Sequence, residues 1–282
     1  MEVRRHGTVP EFMATAGAYL ASREAEHNLI FGICSQIEAD PTQYPDPPYL
    51  GAVLDGERVV GAAIQTPPWR LVVSLFDDPG AAGAIVADLD GRAIPGAVGP
   101  SEATQALTTA WAERNGTTAT LSRHERAYQL RAVRAIRPAR GSMVLAQPAD
   151  RSVLRDWIAA FHEEAIGAGN APGQDYDAMA DRWIRRLGRT AYFWMDEDRP
   201  VSLAGAGGLT PNGIRVGPVY TPPELRGRGY ASNLVAQVSQ AQLDAGRTFV
   251  FLFTDLANPT ANHIYQDIGY EPVIDIDEYV FG

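Results

Sequence analysis

Sixteen residues toward the end of the sequence, VGPVYTPPELRGRGYA at Val216–Ala231, constrain the fold of this chain more than any other stretch. A short apolar run, Ile214–Tyr220, is broken only by Arg215, Gly217 and Pro218. It leads into two prolines and then Arg226-Gly227-Arg228-Gly229-Tyr230-Ala231. Apolar residues recur at 231, 234, 235, 238 and 241 and stop at Gly246, the stripe and stop signal of a helix. The pattern predicts a strand, a tight glycine turn and a helix start. Glycines let backbone N–H groups approach an anion, and the helix N-terminus adds partial positive charge. Each arginine in such a turn can add a charge-assisted bond of roughly 1.5–3 kcal/mol. The turn reads as a cradle for a diphosphate, with Arg228 either part of it or a solvated side chain.

The common phosphate loops do not fit. Neither Gly-x-x-x-x-Gly-Lys-Ser/Thr nor Gly-x-Gly-x-x-Gly occurs in this turn, so the lysine and metal-binding hydroxyl of a nucleoside triphosphatase are missing. A second block follows. Phe249–Phe253 (FVFLF) predicts a buried strand, and Asn258-Pro259 then offers a cap and first position for a helix that Gly269 would stop. Arg226-x-x-Gly229-x-Ala231 resembles the acyl-CoA signature of the GNAT superfamily of N-acetyltransferases. Asn258-x-x-Ala261-x-x-x-Tyr265-x-x-x-Gly269-Tyr270 is similar to that superfamily's second block. The resemblance covers about the last 140 residues.

With 282 residues and 45% hydrophobic content, the chain has enough material for two cores. Its net charge of −10 disfavours nucleic acid and anionic membranes as partners; it is compatible with plain solubility and with attraction of a cationic amine. No apolar run approaches the ~20 residues needed to span a bilayer, and MEVRRHGTVPEFM lacks the apolar segment of a secretory signal. A cytoplasmic protein is expected. Cys34 is the sole cysteine, which excludes an intrachain disulfide and gives no metal-cluster spacing; it reads as a core thiol. No metal is expected.

The order of elements repeats. A helical region at Pro10–Glu38 and a proline loop at Asp40–Pro48 precede three strands, Tyr49–Leu54, Arg58–Thr66 and Arg70–Phe76, the first two joined at Asp55-Gly56. A helix at Ala81–Leu89, a strand at Ile94–Val98, a helix at Glu102–Asn115 and a strand at Gln129–Val133 follow. Arg134–Arg140 (RAIRPAR) reads as a linker. The second half then runs strand Gly141–Ala146, helix Arg151–Ile166, loop Gly167–Gln174, helix Tyr176–Leu187 and strands Ala191–Met195, Ser202–Leu209 and Gly213–Tyr220, with Val273–Phe281 as its closing strand. The expected fold is α/β with mixed sheets, in two tandem GNAT-like domains, 1–135 and 136–282. The first is a degenerate copy. After Phe76 it carries Asp77-Asp78-Pro79-Gly80 in place of the cradle, and two carboxylates facing a diphosphate would cost several kcal/mol at an effective dielectric of about 20.

The resemblance implies direct acetyl transfer from acetyl-CoA to an amine of a small metabolite or antibiotic; an acyl-CoA sensor without turnover is the alternative. It implies that the pantetheine arm pairs with Val219, Tyr220 and Thr221, that Arg226, Gly227, Arg228, Gly229, Tyr230 and Ala231 take the pyrophosphate, and that Asn258 reaches the arm. Tyr265 would donate to the departing thiolate. The resemblance allows a homodimer without requiring one. An alkylammonium of pKa ~10.4 must also lose a proton, a cost of ~4.6 kcal/mol at pH 7. The strand Gly213–Tyr220 offers no carboxylate for that. Glu163, Glu164, Asp255, Asp275, Asp277, a water chain and the terminal carboxylate of Gly282 all stay open, with Glu163 and Asp255 marked for the substrate side. His263 reads as a surface residue.

Overall fold

The computed structural model describes residues 1–165 and 174–282; Gly167–Gly173 of the expected glycine loop lie outside the described residues. The chain divides into two compact units. One comprises Met1–Tyr128 with Phe253–Pro259 and Pro272–Gly282, the other Gln129–Leu252 with Thr260–Glu271.

The first unit contains β1 (Glu2–Arg5), α1 (Val9–Ala21), α2 (Asn28–Ala39), β2 (Tyr49–Asp55), β3 (Arg58–Gln65), β4 (Leu71–Val73), α3 (Gly80–Asp88), β5 (Gly96–Pro100), α4 (Ser101–Asn115), most of β6 (Ala119–Leu130) and β12 (Glu271–Phe281). Its strands lie in the order β1-β2-β3-β4-β5-β12-β6. A capping box starts α1: the Glu11 N–H donates to Thr8 Oγ1, and the Thr8 N–H donates to Glu11 Oε2. Alternation along β2–β4 supplies two cores. Phe12, Leu20 and Ile30 pack with Leu50 and Ile64, while Ile85, Leu107 and Trp111 pack with Val53 and Leu71.

Two expectations change here. The strand expected at Gln129–Val133 is instead a 12-residue strand at Ala119–Leu130, hidden in the sequence by Arg123, His124, Glu125 and Arg126. Those charges are answered by β12 and by one another: Arg126 binds Asp275 through two nitrogens at 2.6 and 3.0 Å, and Arg123 lies 3.8 Å from Glu125. The closing strand also changes place. Ile276–Val280 pair antiparallel with Gly96–Pro100, and Phe281 stacks on Trp111 at 5.2 Å. Residues 272–282 thus group with the first unit, and the compact units are not the sequential blocks 1–135 and 136–282.

The second unit holds β7 (Ser142–Leu145), α5 (Arg151–Ala165), α6 (Tyr176–Ile184), β8 (Arg189–Asp196), β9 (Arg199–Leu209), β10 (Gly213–Tyr220), α7 (Tyr230–Asp244), the start of β11 (Phe249–Asp255) and nearly all of α8 (Pro259–Ile268). Strand order is β11-β10-β9-β8-β7, antiparallel from β10 to β7 and parallel between β10 and β11. Leu154, Ile158, Trp183, Phe193 and Leu203 form a core under α5 and α6. The N-cap Asp175 accepts from the Ala178 N–H at 2.9 Å to start α6. On the other side, Ser239 of α7 bonds the hydroxyl of buried Tyr270 at 2.8 Å. Among the described residues no helix is long and apolar enough to cross a membrane.

Candidate functional site

The end of β10 is shaped by a register shift. Val216 faces Ala206 but Val219 faces Ala204, so Gly217 and Pro218 together oppose one residue of β9, a bulge that bends the strand. On its other edge the parallel register with β11 runs from Gly213 to Arg215. Beyond Arg215 no strand pairing on that edge of β10 is seen among the described residues of this unit, which leaves it able to accept an extended chain as an added strand. Val219 and Tyr220 lie there. The carbonyl of Tyr220 accepts from Ser202 Oγ at 3.1 Å and that of Thr221 from Arg226 Nε at 2.9 Å.

The turn that follows has the conformation its glycines predicted. Gly227 has φ 75° and Gly229 φ 79°, left-handed values that glycine adopts without strain. Gly229 caps α7 with no side-chain bond, and the first helical bond is Asn233 N–H to the Gly229 carbonyl at 3.1 Å. The N–H groups of Tyr230, Ala231 and Ser232 therefore have no intrahelical acceptor. A Cβ built on Gly227 would meet nothing within 4 Å, so the backbone is bare where an anion would sit. Gly227, Arg228, Gly229 and Ser232 line a cleft of about 470 Å³, closed on another side by Arg137–Arg140 and by Ile264 of α8. This cleft suits a diphosphate.

The side chains divide. Arg226 is committed: Nε to the Thr221 carbonyl, and a terminal nitrogen to Glu164 Oε2 of α5 at 2.6 Å. Its guanidinium reaches an incoming diphosphate only in competition with Glu164. Arg228 makes a long contact, 3.3 Å to the Glu224 carbonyl, lies beside the Tyr230 hydroxyl, and has no ion pair among the described residues. The Tyr230 side chain is engaged elsewhere: its buried hydroxyl donates to Asp196 at 2.6 Å, and that bond to a carboxylate raises the phenol's pKa.

Tyr265 lies on α8 one residue after Ile264, its ring edge-on to Tyr270 at 6.0 Å. Burial pushes its phenol up to about 12, so it stays a donor through the accessible pH range. His263 is exposed and 3.5 Å from Asp267, as a surface residue would be. Asn258 and Asp255 fall among the residues of the first unit. Asn258 is exposed just before α8, its N–H bonded to the Asp255 carbonyl at 3.0 Å. Asp255 accepts from the Ala257 N–H at 2.7 Å and holds that turn together.

Of the other side-chain carboxylates considered as bases, Glu163 is exposed and three are engaged. Glu164 holds Arg226, Asp275 holds Arg126, and Asp277 lies 2.5 Å from His124 Nδ1. The sequence reading missed His124, whose partner is 153 residues away. It also missed the aromatic stripe on α5. Trp157 lies against Phe193 and Tyr220, and His162 lies edge-on to Tyr176 at 5.5 Å. His162 Nδ1 is buried without a partner among the described residues, and that burial lowers its basicity. The i, i+4 spacing of Trp157 and Phe161 was the available signal.

In the first unit the turn before α3 is filled from within. Asp78 accepts from the Gly80 N–H at 2.8 Å and Asp77 pairs with Arg23. Among the described residues no group of three or more His, Cys, Asp or Glu could hold a metal ion.

A family model described as FR47-like protein matches residues 197–280, from the β8–β9 turn through β12. A GNAT-family acetyltransferase from Colwellia psychrerythraea superposes with a TM-score of 0.64 at 14% identity over 100% of both chains. A tandem GNAT protein from the clavulanic acid biosynthesis pathway gives 0.57 at 14% identity, over 100% of this chain and 98% of that one. A GCN5-related N-acetyltransferase from Kribbella flavida gives 0.55 at 18%, over 88% and 95%. Among curated proteins no sequence matches. At these identities the likeness is one of architecture.

Proposed function

We propose that this chain, whose fold is of the tandem GNAT type, is an acyl-CoA-dependent N-acyltransferase that moves acetyl from acetyl-CoA to the amine of a small metabolite or antibiotic. The observation that carries the reading is the Gly227–Gly229 turn, whose bare backbone and uncapped helix start face a cleft of about 470 Å³. Acetyl-CoA, when bound, would supply an activated thioester. The chain's own residues then have separable tasks. Backbone N–H groups from Gly227 to Ser232, with Arg228, hold the diphosphate. The free edge of Val219–Thr221 holds the amide arm, and Tyr265 donates to the sulfur. The aromatic wall of Trp157 and Tyr220, with the Glu164 carboxylate acting on Tyr220, suits the hydrocarbon and cation of an amine. The proton acceptor for that amine is left unassigned. No metal is needed, and a cytoplasmic setting, where acetyl-CoA is made and used, fits the reading.

We read the first unit as lacking a CoA site, because the Asp78 carboxylate already takes the N–H at the start of α3. Two measurements test the whole. Calorimetry with CoA should give a stoichiometry of one per chain; two would overturn the assignment of the first unit. Thiol release from acetyl-CoA should depend on an amine drawn from a panel of metabolites and aminoglycosides. Tight CoA binding with no amine-dependent release from any member would favour the sensor instead.

A further inference from the structure

The segment joining β6 to β7 carries Arg131, Arg134, Arg137 and Arg140, one arginine at every third position. Three of them fasten the segment to the second unit. The Arg131 guanidinium lies 4.2 Å over the ring of Phe249. Arg134 reaches the Gln266 carbonyl at 3.5 Å, and its N–H donates to the Ile268 carbonyl at 2.7 Å. Arg140 pairs with Asp196 at 3.2 Å and Glu197 at 2.6 Å.

Arg137 differs. Its carbonyl accepts from Asn233 Nδ2 at 3.1 Å, which fixes its backbone against the first turn of α7. Its exposed side chain makes no ion pair among the described residues, yet it lines the same cleft as Arg228. Arg228 likewise has no ion pair among the described residues. The carboxylate in that lining, Asp267, lies 3.5 Å from His263. A volume of about 470 Å³ falls in the ~300–1,000 Å³ range of sites for drug-sized ligands. It exceeds what a diphosphate over three N–H groups requires.

We infer that Arg137 is a second, separate phosphate contact: it takes the phosphate monoester on the ribose of CoA, while the glycine turn takes the diphosphate. The linker thereby becomes part of the cofactor site and makes it selective for CoA over 3′-dephospho-CoA. The inference rests on the reading of the cleft as a CoA site, and the test separates the two.

The experiment is calorimetry on the full chain with CoA and with 3′-dephospho-CoA, for the wild type, Arg137→Ala, Arg137→Lys and, as a structural control, Arg131→Ala. A charge-assisted contact at a partly solvated site should make the wild type about five- to twenty-fold tighter for CoA than for its dephospho form. Arg137→Ala should lose that ratio by weakening CoA alone, and Arg137→Lys should restore part of it. Raising the salt concentration should shrink the ratio in the wild type. Arg131→Ala should keep the ratio whatever it does to the melting temperature. Equal binding of both ligands by the wild type, or an equal loss of both in Arg137→Ala, would overturn the role of Arg137 while leaving the CoA site standing. Failure of the folded wild type to bind either ligand would overturn both readings.

Discussion

Replacing Tyr265 by phenylalanine removes one oxygen from the proposed chemistry and little else. The ring keeps its edge-on contact with Tyr270 at 6.0 Å, and Tyr270 stays anchored to Ser239 at 2.8 Å, so the fold should melt within about 1 °C of the wild type. The expected kinetic loss follows from acidities. Burial pushes the Tyr265 phenol up to about 12, whereas a free thiol titrates near 8.5. Full proton transfer from this phenol to a departed thiolate would thus be uphill by roughly 3.5 units, about 5 kcal/mol. In the proposed chemistry Tyr265 would then act by holding a hydrogen bond to sulfur as charge develops there. A hydrogen bond to a charged group contributes about 1.5–3 kcal/mol, so kcat should fall about 10- to 150-fold, with the CoA dissociation constant unchanged. Steady-state thiol release and calorimetry measure the two. Because the phenol is held high, the wild-type kcat should show no Tyr265-dependent decline below about pH 10. Parallel loss of kcat and CoA affinity would make Tyr265 a binding residue. A basic limb near pH 9 that vanishes in the phenylalanine variant would refute the raised acidity.

Three further perturbations discriminate among the parts. Glu164→Gln releases Arg226 from a pair that is 44% and 52% exposed; exposed pairs contribute about 0.2–1 kcal/mol, so CoA should bind about 1.4- to 5-fold tighter at low salt and the gain should fade at high salt, whereas weaker binding would mean Arg226 is not the diphosphate's partner. Gly229→Ala forces an L-residue to φ 79° with only ordinary contacts at 3.6 Å to Ala139 and Asn233, so strain of about 1–2 kcal/mol should lower the melting temperature by a few degrees and CoA affinity at least ten-fold; unchanged affinity in calorimetry would remove the turn from the site. Ending the chain at Glu271 strips β5 of its β12 neighbour and Trp111 of Phe281; losing buried Ile276 alone costs about 1.5–3 kcal/mol and half-buried Phe281 adds to it, a large part of a typical ~5–15 kcal/mol, so the first unit should become protease-sensitive, and a digestion pattern matching the full chain would contradict its assignment there.

What the sequence made legible was local. The glycines at 227 and 229 and the apolar stripe from Ala231 each announce a conformation within one or two turns of backbone, and the strand, turn and helix stand where they were expected. What it hid depends on partners far along the chain. β6 looks like a polar linker because Arg126 and His124 meet Asp275 and Asp277 only after some 150 residues. Tyr230 sits inside the signature, yet its hydroxyl turns away to Asp196. Arg137 looked like one more linker charge. Its difference from Arg131, Arg134 and Arg140 emerges only when those three are seen to be fastened.

The two glycine turns make the same point about content and geometry. Each unit sends a strand into a helix through a short polar turn, β4 into α3 and β10 into α7, and in each the helix start offers unsatisfied N–H groups. In one, Asp78 supplies the anion from within the chain, and Asp77 is matched to Arg23. In the other, Gly229 supplies nothing, and Arg228 waits beside it. A helix start whose first N–H groups are taken from within the chain, as Gly80 and Ala81 are by Asp78, has less to offer a ligand. One that leaves its N–H groups bare carries a cost in the free protein, which an anion of the right length would relieve on binding. That asymmetry favours the second unit for the proposed cofactor site, and Asp78→Gly should raise the first unit's affinity for inorganic pyrophosphate; unchanged affinity would refute it.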